Sequence, residues 1–322
     1  MIAVAVIGGL VGTWLARRIA RRFAIVARPN PIVPQHRQPV AYLGGLGIAI
    51  GAGAALATGV SAPAGFVIGA LGFTALGTLD DLRPLQPRGK LLAQLAVALA
   101  AVVIAAPEAS AIDLATRTLW IAVVVNAVNL TDVCDGLVGS LAIIALGASG
   151  LATGQPLAFV VAGATAGFLW FNRPPATIFL GDAGSHLLGF ALGYLWLGAA
   201  DRAATWHHRA AAVLGVGSFL LELGFLVIVR HRRGLAFWRG SPDHLALRLQ
   251  AAGLSKQRTI AVAVIPTALL NALAIWLARS NSLLALALAA GLVVVLVLGV
   301  ARLYALEPVP RFGRPRQPGD PW

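Results

Sequence analysis

The chain has 322 residues, of which 58% are apolar and only 11% are charged, and its mean hydropathy is +0.82. Soluble domains carry roughly 45–50% apolar and 25% charged residues, so this composition excludes an ordinary water-soluble domain. The 25 Lys and Arg residues against 12 Asp and Glu give a net charge of +13. In so apolar a chain we interpret this charge as a signal of membrane topology and not as a nucleic-acid-binding surface.

Eleven apolar segments follow one another along the chain and predict an all-α, polytopic membrane protein. The 36 Gly residues and the many Ala residues suit closely packed transmembrane helices, because small side chains let helix backbones approach. Several segments are shorter than the roughly 20 residues that cross a bilayer comfortably. The predicted segments are residues 2–16, 41–60, 63–79, 91–106, 117–130, 136–152, 156–171, 184–200, 210–229, 259–278 and 282–304.

The basic residues predict on which side of the membrane each loop lies. With eleven spans and the N-terminus outside, all but four of the 25 Lys and Arg residues fall in inner loops or in the tail. Because cytoplasmic loops are enriched in these residues, we expect a multi-pass protein of the cell (inner) membrane. The arginines follow the first segment and do not precede it, which favours an uncleaved span over a signal peptide.

The chain is predicted to form one polytopic domain over residues 1–306 with a basic, proline-rich cytoplasmic tail over residues 307–322. Cys134 is the only cysteine, which excludes an intramolecular disulfide. Aromatic residues near the outer ends of spans predict an interfacial belt. These are Trp120, Tyr194, Trp196, Trp206 and Trp276.

Three short acidic clusters lie at the ends of apolar segments, on the predicted cytoplasmic side. They are Asp80 with Asp81, Asp132 with Asp135, and Asp182. An ionisable residue at the edge of a bilayer is costly, so it suggests a functional site. The adjacent pair Asp80–Asp81 can share a proton or bind a cation, and the nearby Lys90 can hold a phosphate. The alternative is a solvated turn in which an Asp caps a helix.

The second cluster belongs to a longer polar series at intervals of three residues. Asn126, Asn129, Asp132 and Asp135 are predicted to lie near one helical face. Each of these polar groups needs a partner when it is buried. A site for a cation or a phosphate and a set of interhelical hydrogen bonds are the two interpretations.

The third cluster places Asp182 between two glycines. Gly181 and Gly184 allow the backbone to approach closely, and Gly184-Ser185 before an apolar run suits an anion at the start of a helix. Asp182 alone is a weak signal, and the surrounding string of residues makes it specific.

Taken together, these motifs resemble those of the polyprenyl-phosphate N-acetylhexosamine-1-phosphate transferases, a branch of glycosyltransferase family 4. These membrane enzymes move a sugar phosphate from a UDP-sugar onto undecaprenyl or a related phosphate. The resemblance extends from about residue 29 to residue 258. It rests on Arg28-Pro29-Asn30, His36, Gly44-Gly45, Asp80-Asp81, Lys90-Leu91, Gln94, Asn126, Asn129, Asp132, Asp135-Gly136-Leu137, Asn172, Pro175-Ala176 and Phe179 to Ser185.

The resemblance implies a Mg²⁺ cofactor and roles for the matching acidic residues. Asp182 corresponds to the main metal ligand, and the side-chain oxygen of Asn129 to a second one. Asp80 and Asp81 match an essential acidic pair that is proposed to act as the base toward the lipid phosphate. Asp132 is a competing candidate for the base or for a contact with the pyrophosphate.

The resemblance also implies a set of substrate-binding residues. Lys90 and Asn172 match polar positions around the nucleotide-sugar, and Arg248 is expected to offer positive charge to a diphosphate. The predicted substrate-binding residues are Lys90, Asn126, Asp135, Asn172, His244 and Arg248.

The loop after the ninth predicted span departs from the family pattern. Family members usually carry a His-x-His-His cluster there, of which this chain keeps His244 and has Ala246 and Leu247 at the other two positions. Asp243 is a candidate to compensate, and Glu222 stands where an Asp is common. These departures from the family pattern are therefore expected to affect donor specificity more than any other property. His244 either contacts the donor or caps a loop helix.

The resemblance favours a Mg²⁺-dependent glycosyl-1-phosphate transferase of the inner membrane. It is expected to use UDP-N-acetylglucosamine or another UDP-N-acetylhexosamine, to act on a polyprenyl phosphate such as undecaprenyl phosphate, and to release UMP. The runner-up is the phospho-N-acetylmuramoyl-pentapeptide transferase, which has ten spans. A catalytically silent relative is a further alternative. A transporter is the alternative from another class, but carriers place polar residues near the bilayer midplane.

Overall fold

The computed structural model describes residues 1–27, 38–201, 206–236, 238, 241–280 and 282–305. In these residues the chain forms thirteen α-helices and two short strands. The helices are α1 Ile2–Arg22, α2 Gly44–Leu56, α3 Ala64–Leu82, α4 Pro87–Ala105, α5 Ala111–Thr131, α6 Leu137–Thr153, α7 Pro156–Asn172, α8 Gly181–Asp201, α9 Trp206–Gly215, α10 Gly217–Arg232, α11 Leu245–Ala251, α12 Lys256–Ser280 and α13 Leu283–Ala305. Strands β1 Val26–Ala27 and β2 Val40–Ala41 pair antiparallel. The motif residues Arg28, Pro29, Asn30 and His36 and the tail at 307–322 lie outside the described residues.

The helical fold class is confirmed, because each of the eleven predicted segments coincides with a helix or a helix pair. By length and hydropathy, six helices of the described chain can cross a membrane, or seven if α9 and α10 form one span. Helices α2, α6 and α7 have 13, 17 and 17 residues and are shorter. The chain is therefore a multi-pass membrane protein, while eleven spans and an outward N-terminus stay predictions.

The predicted span at 210–229 is wrong as a single helix. Helices α9 and α10 meet at 71°, and Val216 lies at the break. The ring of Trp196 packs against Gly215, where an added Cβ would lie 2.2 Å from the ring. Trp196 is fully buried and its Nε1 donates a hydrogen bond to the Ala145 carbonyl at 3.2 Å. It is a core residue, so its predicted role as an interfacial anchor is also wrong.

Helix α8 runs through the centre of the fold, in contact with α2, α3, α5, α6, α7 and α9. Two glycines bring neighbouring helices against its first turn. An added Cβ at Gly45 would lie 2.1 Å from the Gly184 nitrogen, and one at Gly77 would lie 2.2 Å from the Asp182 carbonyl oxygen. Helices α2 and α3 therefore contact the start of α8 backbone to backbone, which no larger residue at these positions permits.

The connection from α7 to α8 is held by backbone hydrogen bonds to the β2 region. The Phe179 nitrogen donates to the Ala41 carbonyl at 2.8 Å, and the Gly44 nitrogen donates to the Phe179 carbonyl at 3.0 Å. Gly181 then adopts φ +72°, a left-handed conformation that glycine reaches without steric cost. This turn sets the start of α8 and with it the position of Asp182.

Candidate active site

Two carboxylates and a lysine from three different helices meet at one end of the bundle. Lys90 Nζ, in the first turn of α4, lies 2.6 Å from Asp80 Oδ2 and 3.2 Å from Asp182 Oδ2. The Asp80 side chain is 8% exposed and that of Asp182 is 29% exposed. Asp182 is therefore the carboxylate that a solute or an ion can reach more easily. With Asn129, these residues form what we term the carboxylate cluster.

Asn129 joins the cluster from the last turn of α5. Its Nδ2 donates hydrogen bonds to Asp182 Oδ1 and to Ser185 Oγ. An Asn side chain carries a carbonyl oxygen and an amide nitrogen of nearly the same shape. Rotation of the terminal amide would therefore present its oxygen to an ion bound at Asp182, as the sequence prediction requires.

Asp81 lies next to Asp80 but points its carboxylate in another direction. Its Oδ1 accepts from the Asp182 nitrogen at 2.7 Å, and its Oδ2 accepts from the Ala183 nitrogen at 3.1 Å. The first amides of a helix have no partner within the helix, so Asp81 of α3 caps α8. This matches the capping alternative for an Asp of this pair, although the capped helix is a distant one. The predicted catalytic role of Asp81 stays a prediction.

The predicted polar stripe on one helical face is wrong beyond Asn129. Helix α5 ends at Thr131, and Asp132 is its C-cap with φ −79° and ψ 67°. The following residues turn away into a loop that leads to Gly136, whose φ is +74°. Asp135 consequently lies on this loop and not on the helix.

Asp132 has no hydrogen bond or ion pair to its carboxylate from the residues that the structure describes. Burial, with the nearby charges of Asp182, Asp81 and Asp135, raises the pKa of Asp132 to about 8. A carboxyl group that titrates close to neutral pH is suited to accept a proton. Among the three predicted catalytic acids, only Asp132 has both this pKa and a carboxylate without a hydrogen bond or ion pair to any described residue.

Asp135 and Asn172 fasten the loop after α5 to the connection between α7 and α8. Asp135 Oδ2 accepts from Lys256 Nζ at 2.8 Å and from the Ala176 nitrogen at 3.2 Å. Asn172 Oδ1 accepts from the Gly136 nitrogen, and its Nδ2 donates to the Ile178 carbonyl, both at 2.9 Å. These contacts fix the position of the loop after α5, next to the carboxylate cluster. Substrate binding by Asp135 and Asn172 stays a prediction.

A buried amide–imidazole chain lies beneath Asp182. Asn126 Nδ2 donates to Gln94 Oε1 at 2.8 Å, and Gln94 Nε2 lies 2.9 Å from His186 Nε2. His186 Nδ1 lies 2.7 Å from the Asp182 carbonyl oxygen. Because a carbonyl only accepts, Nδ1 carries the proton and Nε2 accepts from Gln94. Asn126, predicted to bind substrate, here connects α5 to α4, and that prediction is untested.

His186 is the site residue that the sequence prediction missed. Its spacing of four from Asp182 places the two residues on the same side of α8, and this was the available signal. Lys256, the partner of Asp135, carried no comparable signal, because the two residues lie 121 positions apart.

His244 is buried and is oriented by an acidic residue of α10. Its Nδ1 lies 2.9 Å from Glu222 Oε1, and Glu222 Oε2 accepts from the Leu245 nitrogen at 3.3 Å. The longer Glu, in place of the Asp common in the family, therefore reaches both the ring and the start of α11. His244 also stands at the N-cap position of α11 without a side-chain capping bond.

Arg248 and Asp243 hold the same loop to its surroundings. Arg248 Nη2 donates to Asp243 Oδ1 at 2.9 Å, and its Nη1 donates to the carbonyls of Leu303 and Tyr304 at 3.3 and 3.2 Å. Arg233 Nη1 lies 2.7 Å from the same Asp243 oxygen. In this structure Asp243 pairs with arginines, and Arg248 is fully engaged with protein groups. A contact of Arg248 with the donor stays a prediction.

The carboxylate cluster offers the type of ligand that magnesium binds, namely side-chain oxygens. Among the described residues, no three or more His, Cys, Asp and Glu side chains are grouped to enclose a metal ion. Magnesium does not need such a cage, because it keeps several waters and binds one or two protein oxygens together with substrate phosphates. The accessible Asp182 carboxylate and the neighbouring Asn129 amide oxygen supply that number.

Comparison with known proteins agrees with this site. The family model of glycosyl transferase family 4 matches residues 63–200, which include the whole carboxylate cluster. A Bacillus subtilis protein named as a probable undecaprenyl-phosphate N-acetylglucosaminyl 1-phosphate transferase is 30% identical over 277 residues, covering 79% of this chain and 77% of its own. The phospho-N-acetylmuramoyl-pentapeptide-transferase of Ruegeria pomeroyi is 39% identical over 125 residues, covering 32% and 33% of the two chains.

The apolar helices and the polar site at their ends define a multi-pass membrane protein whose acidic and basic groups converge at one end of the bundle. The chain belongs to glycosyl transferase family 4. The predicted family is thereby confirmed.

Proposed function

We propose that this protein transfers N-acetylhexosamine-1-phosphate from a UDP-sugar to a polyprenyl phosphate and releases UMP. The expected sugar is N-acetylglucosamine and the expected acceptor is undecaprenyl phosphate, in the synthesis of a cell-envelope polysaccharide. The convergence of Asp80, Lys90, Asn129 and Asp182 carries the proposal. The Bacillus subtilis relative supports it over most of both chains, whereas the pentapeptide transferase matches only about a third of each.

In the proposed reaction, an oxygen of the acceptor phosphate attacks the β-phosphorus of the UDP-sugar. The bond from this phosphorus to the bridging oxygen breaks, and UMP leaves with the electron pair. The reaction brings two anions together, so alignment and charge neutralisation supply most of the catalysis. Lys90 places a cation beside the reacting phosphates and can exchange Asp80 or Asp182 for phosphate oxygens.

The proposed cofactor is Mg²⁺ held by Asp182 and the side-chain oxygen of Asn129. When bound, it would neutralise charge on the diphosphate and on the departing UMP. The protein's own contribution is to fix Asp182. The Asp81 carboxylate binds the first amides of α8, and His186 binds the Asp182 carbonyl, so the first turn is held on two sides.

We propose Asp132 as the base that removes a remaining proton from the acceptor phosphate. Its raised pKa and its unoccupied carboxylate support this role. Asp80 is paired with Lys90, and Asp81 is bound to two backbone amides. Protonation of either residue would weaken its bonds to these partners, whereas Asp132 has no such bonds among the described residues to lose.

The proposed topology has the N-terminus outside, eleven spans and the carboxylate cluster on the cytoplasmic side of the inner membrane. The distribution of Lys and Arg residues supports it. A donor such as a UDP-sugar would then reach the cluster from the cytoplasm.

A donor panel tests the proposed function. Purified protein is mixed with undecaprenyl phosphate, Mg²⁺ and one UDP-sugar at a time, and UMP is measured. We expect UMP from UDP-N-acetylglucosamine or a close N-acetylhexosamine analogue. UMP formed only from the UDP-muramoyl-pentapeptide donor would move the assignment to the pentapeptide transferase. No turnover with any donor, together with vectorial uptake of a solute, would contradict an enzyme of this class.

A further inference from the structure

A cavity of about 340 Å³ opens between the C-terminal part of α1 and the end of α7, beside the connection to α8. Its lining includes Arg17, Trp170, Phe171, Arg173 and Thr177. We term it the α1–α7 cavity. It lies at the same end of the bundle as the carboxylate cluster, but the cluster residues come from α3, α4, α5 and α8 and none of them lines it. It is therefore a second polar site on another flank of the protein.

The two guanidinium groups of the cavity are held against aromatic rings. Arg17 Cζ lies 5.3 Å from the centroid of the Phe171 ring, and Arg173 Cζ lies 3.8 Å from that of Trp170. Arg17 Nη1 also donates to Thr177 Oγ1 at 3.1 Å. Stacking on a ring fixes the plane of a guanidinium without using its N–H donors. Both groups are thus oriented and keep donors to offer.

The charge of this cavity is not balanced by the protein. Among the described residues, no carboxylate forms an ion pair with Arg17 or Arg173. Arg18, Arg21 and Arg22 follow Arg17 on α1 and add further positive charge. Arginine recognises phosphate oxygens by paired hydrogen bonds. An anionic ligand with phosphate oxygens therefore matches both the charge and the donors.

The position of the cavity indicates where such a phosphate comes from. Trp170 is 57% exposed at its edge, and Trp is enriched at the level of the lipid headgroups. Helix α1 has no charged residue before Arg17, and α7 has none before it ends at Asn172. The phosphate group of a membrane lipid lies at that level beside an apolar helix, whereas a soluble phosphate has no reason to prefer it.

We propose that the α1–α7 cavity binds the headgroup phosphate of an anionic phospholipid through Arg17 and Arg173. This inference rests on the membrane fold and the cavity, and it does not depend on the transferase reaction. It gives the two arginines a specific ligand in addition to their part in the positive charge at this end of the bundle.

Thermal unfolding of the delipidated full-length protein in an uncharged detergent tests this inference. We expect phosphatidylglycerol to raise the unfolding temperature at much lower concentrations than phosphatidylcholine. Arg17→Gln and Arg173→Gln should each weaken the apparent affinity for phosphatidylglycerol by about 10-fold, as expected for the loss of hydrogen bonds to a charged group. Arg18→Gln is the matched control, because Arg18 stacks on Trp14 and does not line the cavity.

Three outcomes would overturn the inference. A variant that combines Arg17→Gln and Arg173→Gln could titrate like the wild type. Alternatively, Arg18→Gln could weaken binding as much as either single substitution, which would indicate diffuse attraction. Inorganic phosphate could also stabilise the protein at the same concentrations, which would exclude a lipid as the required source. If Arg17→Gln fails to fold, Arg173→Gln decides alone, because Arg173 is exposed.

Discussion

At the scale of single residues, Lys90 lies between Asp80 and Asp182 and reduces the repulsion between these two carboxylates. If either carboxylate were removed, Lys90 would form an ion pair with the remaining carboxylate alone. Only Asp182 is also bound by Asn129 and substantially exposed. It is therefore the residue whose loss should affect an incoming cation most.

Asp182→Asn should abolish UMP release, a loss of more than about 100-fold, because the amide keeps the shape and removes the charge that holds magnesium. The purified variant should still elute as a folded protein in detergent. Asp113→Asn is the matched control. Asp113 is exposed in the first turn of α5, at the end of that helix opposite to Asn129. Near wild-type turnover of Asp182→Asn, with the same dependence on magnesium, would exclude Asp182 as the ligand.

The raised pKa of Asp132 predicts how stability changes with pH in the absence of metal. Below pH of about 4 the carboxyl is protonated in both the folded and the unfolded states, and no penalty arises. Between about 4 and about 8 the unfolded state ionises first, so folded-state stability falls as pH rises, and it levels off above that range. The unfolding temperature measured in EDTA should follow this course.

Asp132→Asn is the control for this dependence, because the amide does not titrate. The variant should lose the part of the decline between pH of about 4 and about 8 that Asp132 causes, while other residues keep their contributions. An identical pH profile for the variant and the wild type would show that Asp132 ionises normally in the folded protein.

At the scale of elements, the start of α8 is held by parts of the chain that are remote in sequence. Asp81 of α3 caps it, and Gly45 and Gly77 let α2 and α3 approach its backbone. The metal ligand proposed here, Asp182, is in this first turn. Its position therefore depends on the packing of three helices and not on α8 alone.

Asp81→Ala should lower stability by about 0.5–2 kcal/mol, the usual cost of losing an N-terminal cap. The loss follows because the nitrogens of Asp182 and Ala183 lose their acceptors. Unfolding in a denaturing detergent series measures it. An inactive variant with unchanged stability would instead indicate that Asp81 acts in the reaction and that its capping contacts are unimportant.

The loop after α10 should affect the donor more than the lipid acceptor. If His244 contacts the donor, His244→Ala removes one hydrogen bond in the transition state, at a cost of roughly 1–3 kcal/mol or about 5- to 150-fold in rate. The loss should appear in kcat/KM for the UDP-sugar. Glu222→Gln should produce a smaller loss of the same kind, because Glu222 orients the ring.

His231→Ala is the control for this prediction, since His231 is exposed in the last turn of α10. A His244→Ala protein with normal donor kinetics and a lower unfolding temperature would assign His244 a purely structural role in its loop.

The elements that the sequence predicted well are those that hydropathy dictates. Long apolar runs have to form helices in a membrane, because every backbone polar group needs a partner there. The break at Val216 was not predictable, because no Pro marks it and the ring of Trp196, which packs against the neighbouring Gly215, is remote in sequence. The capping of α8 by Asp81 was equally hidden, because about 100 residues separate the partners. Local motifs identified the site residues, and tertiary packing decided their partners.

At the scale of the whole molecule, the polar residues of the site gather at one end of an apolar bundle. Lys90, Asn129, Asp132 and Asp182 all lie at helix ends. A carrier would be expected to place such groups near the middle of the membrane on broken helices. Among the described residues one helix pair is broken, α9 with α10, and it contributes no member of the carboxylate cluster. This distribution favours chemistry at a membrane surface over transport through it.

The central claim is that the protein transfers a sugar together with its phosphate, and a UDP-sugar labelled at the β-phosphorus tests it most directly. Purified protein is incubated with this donor, undecaprenyl phosphate and Mg²⁺, and the lipid and nucleotide products are separated. We predict that the label moves into the lipid while unlabelled UMP is released in equal amount. Release of labelled UDP, with an unlabelled sugar on the lipid, would contradict the account.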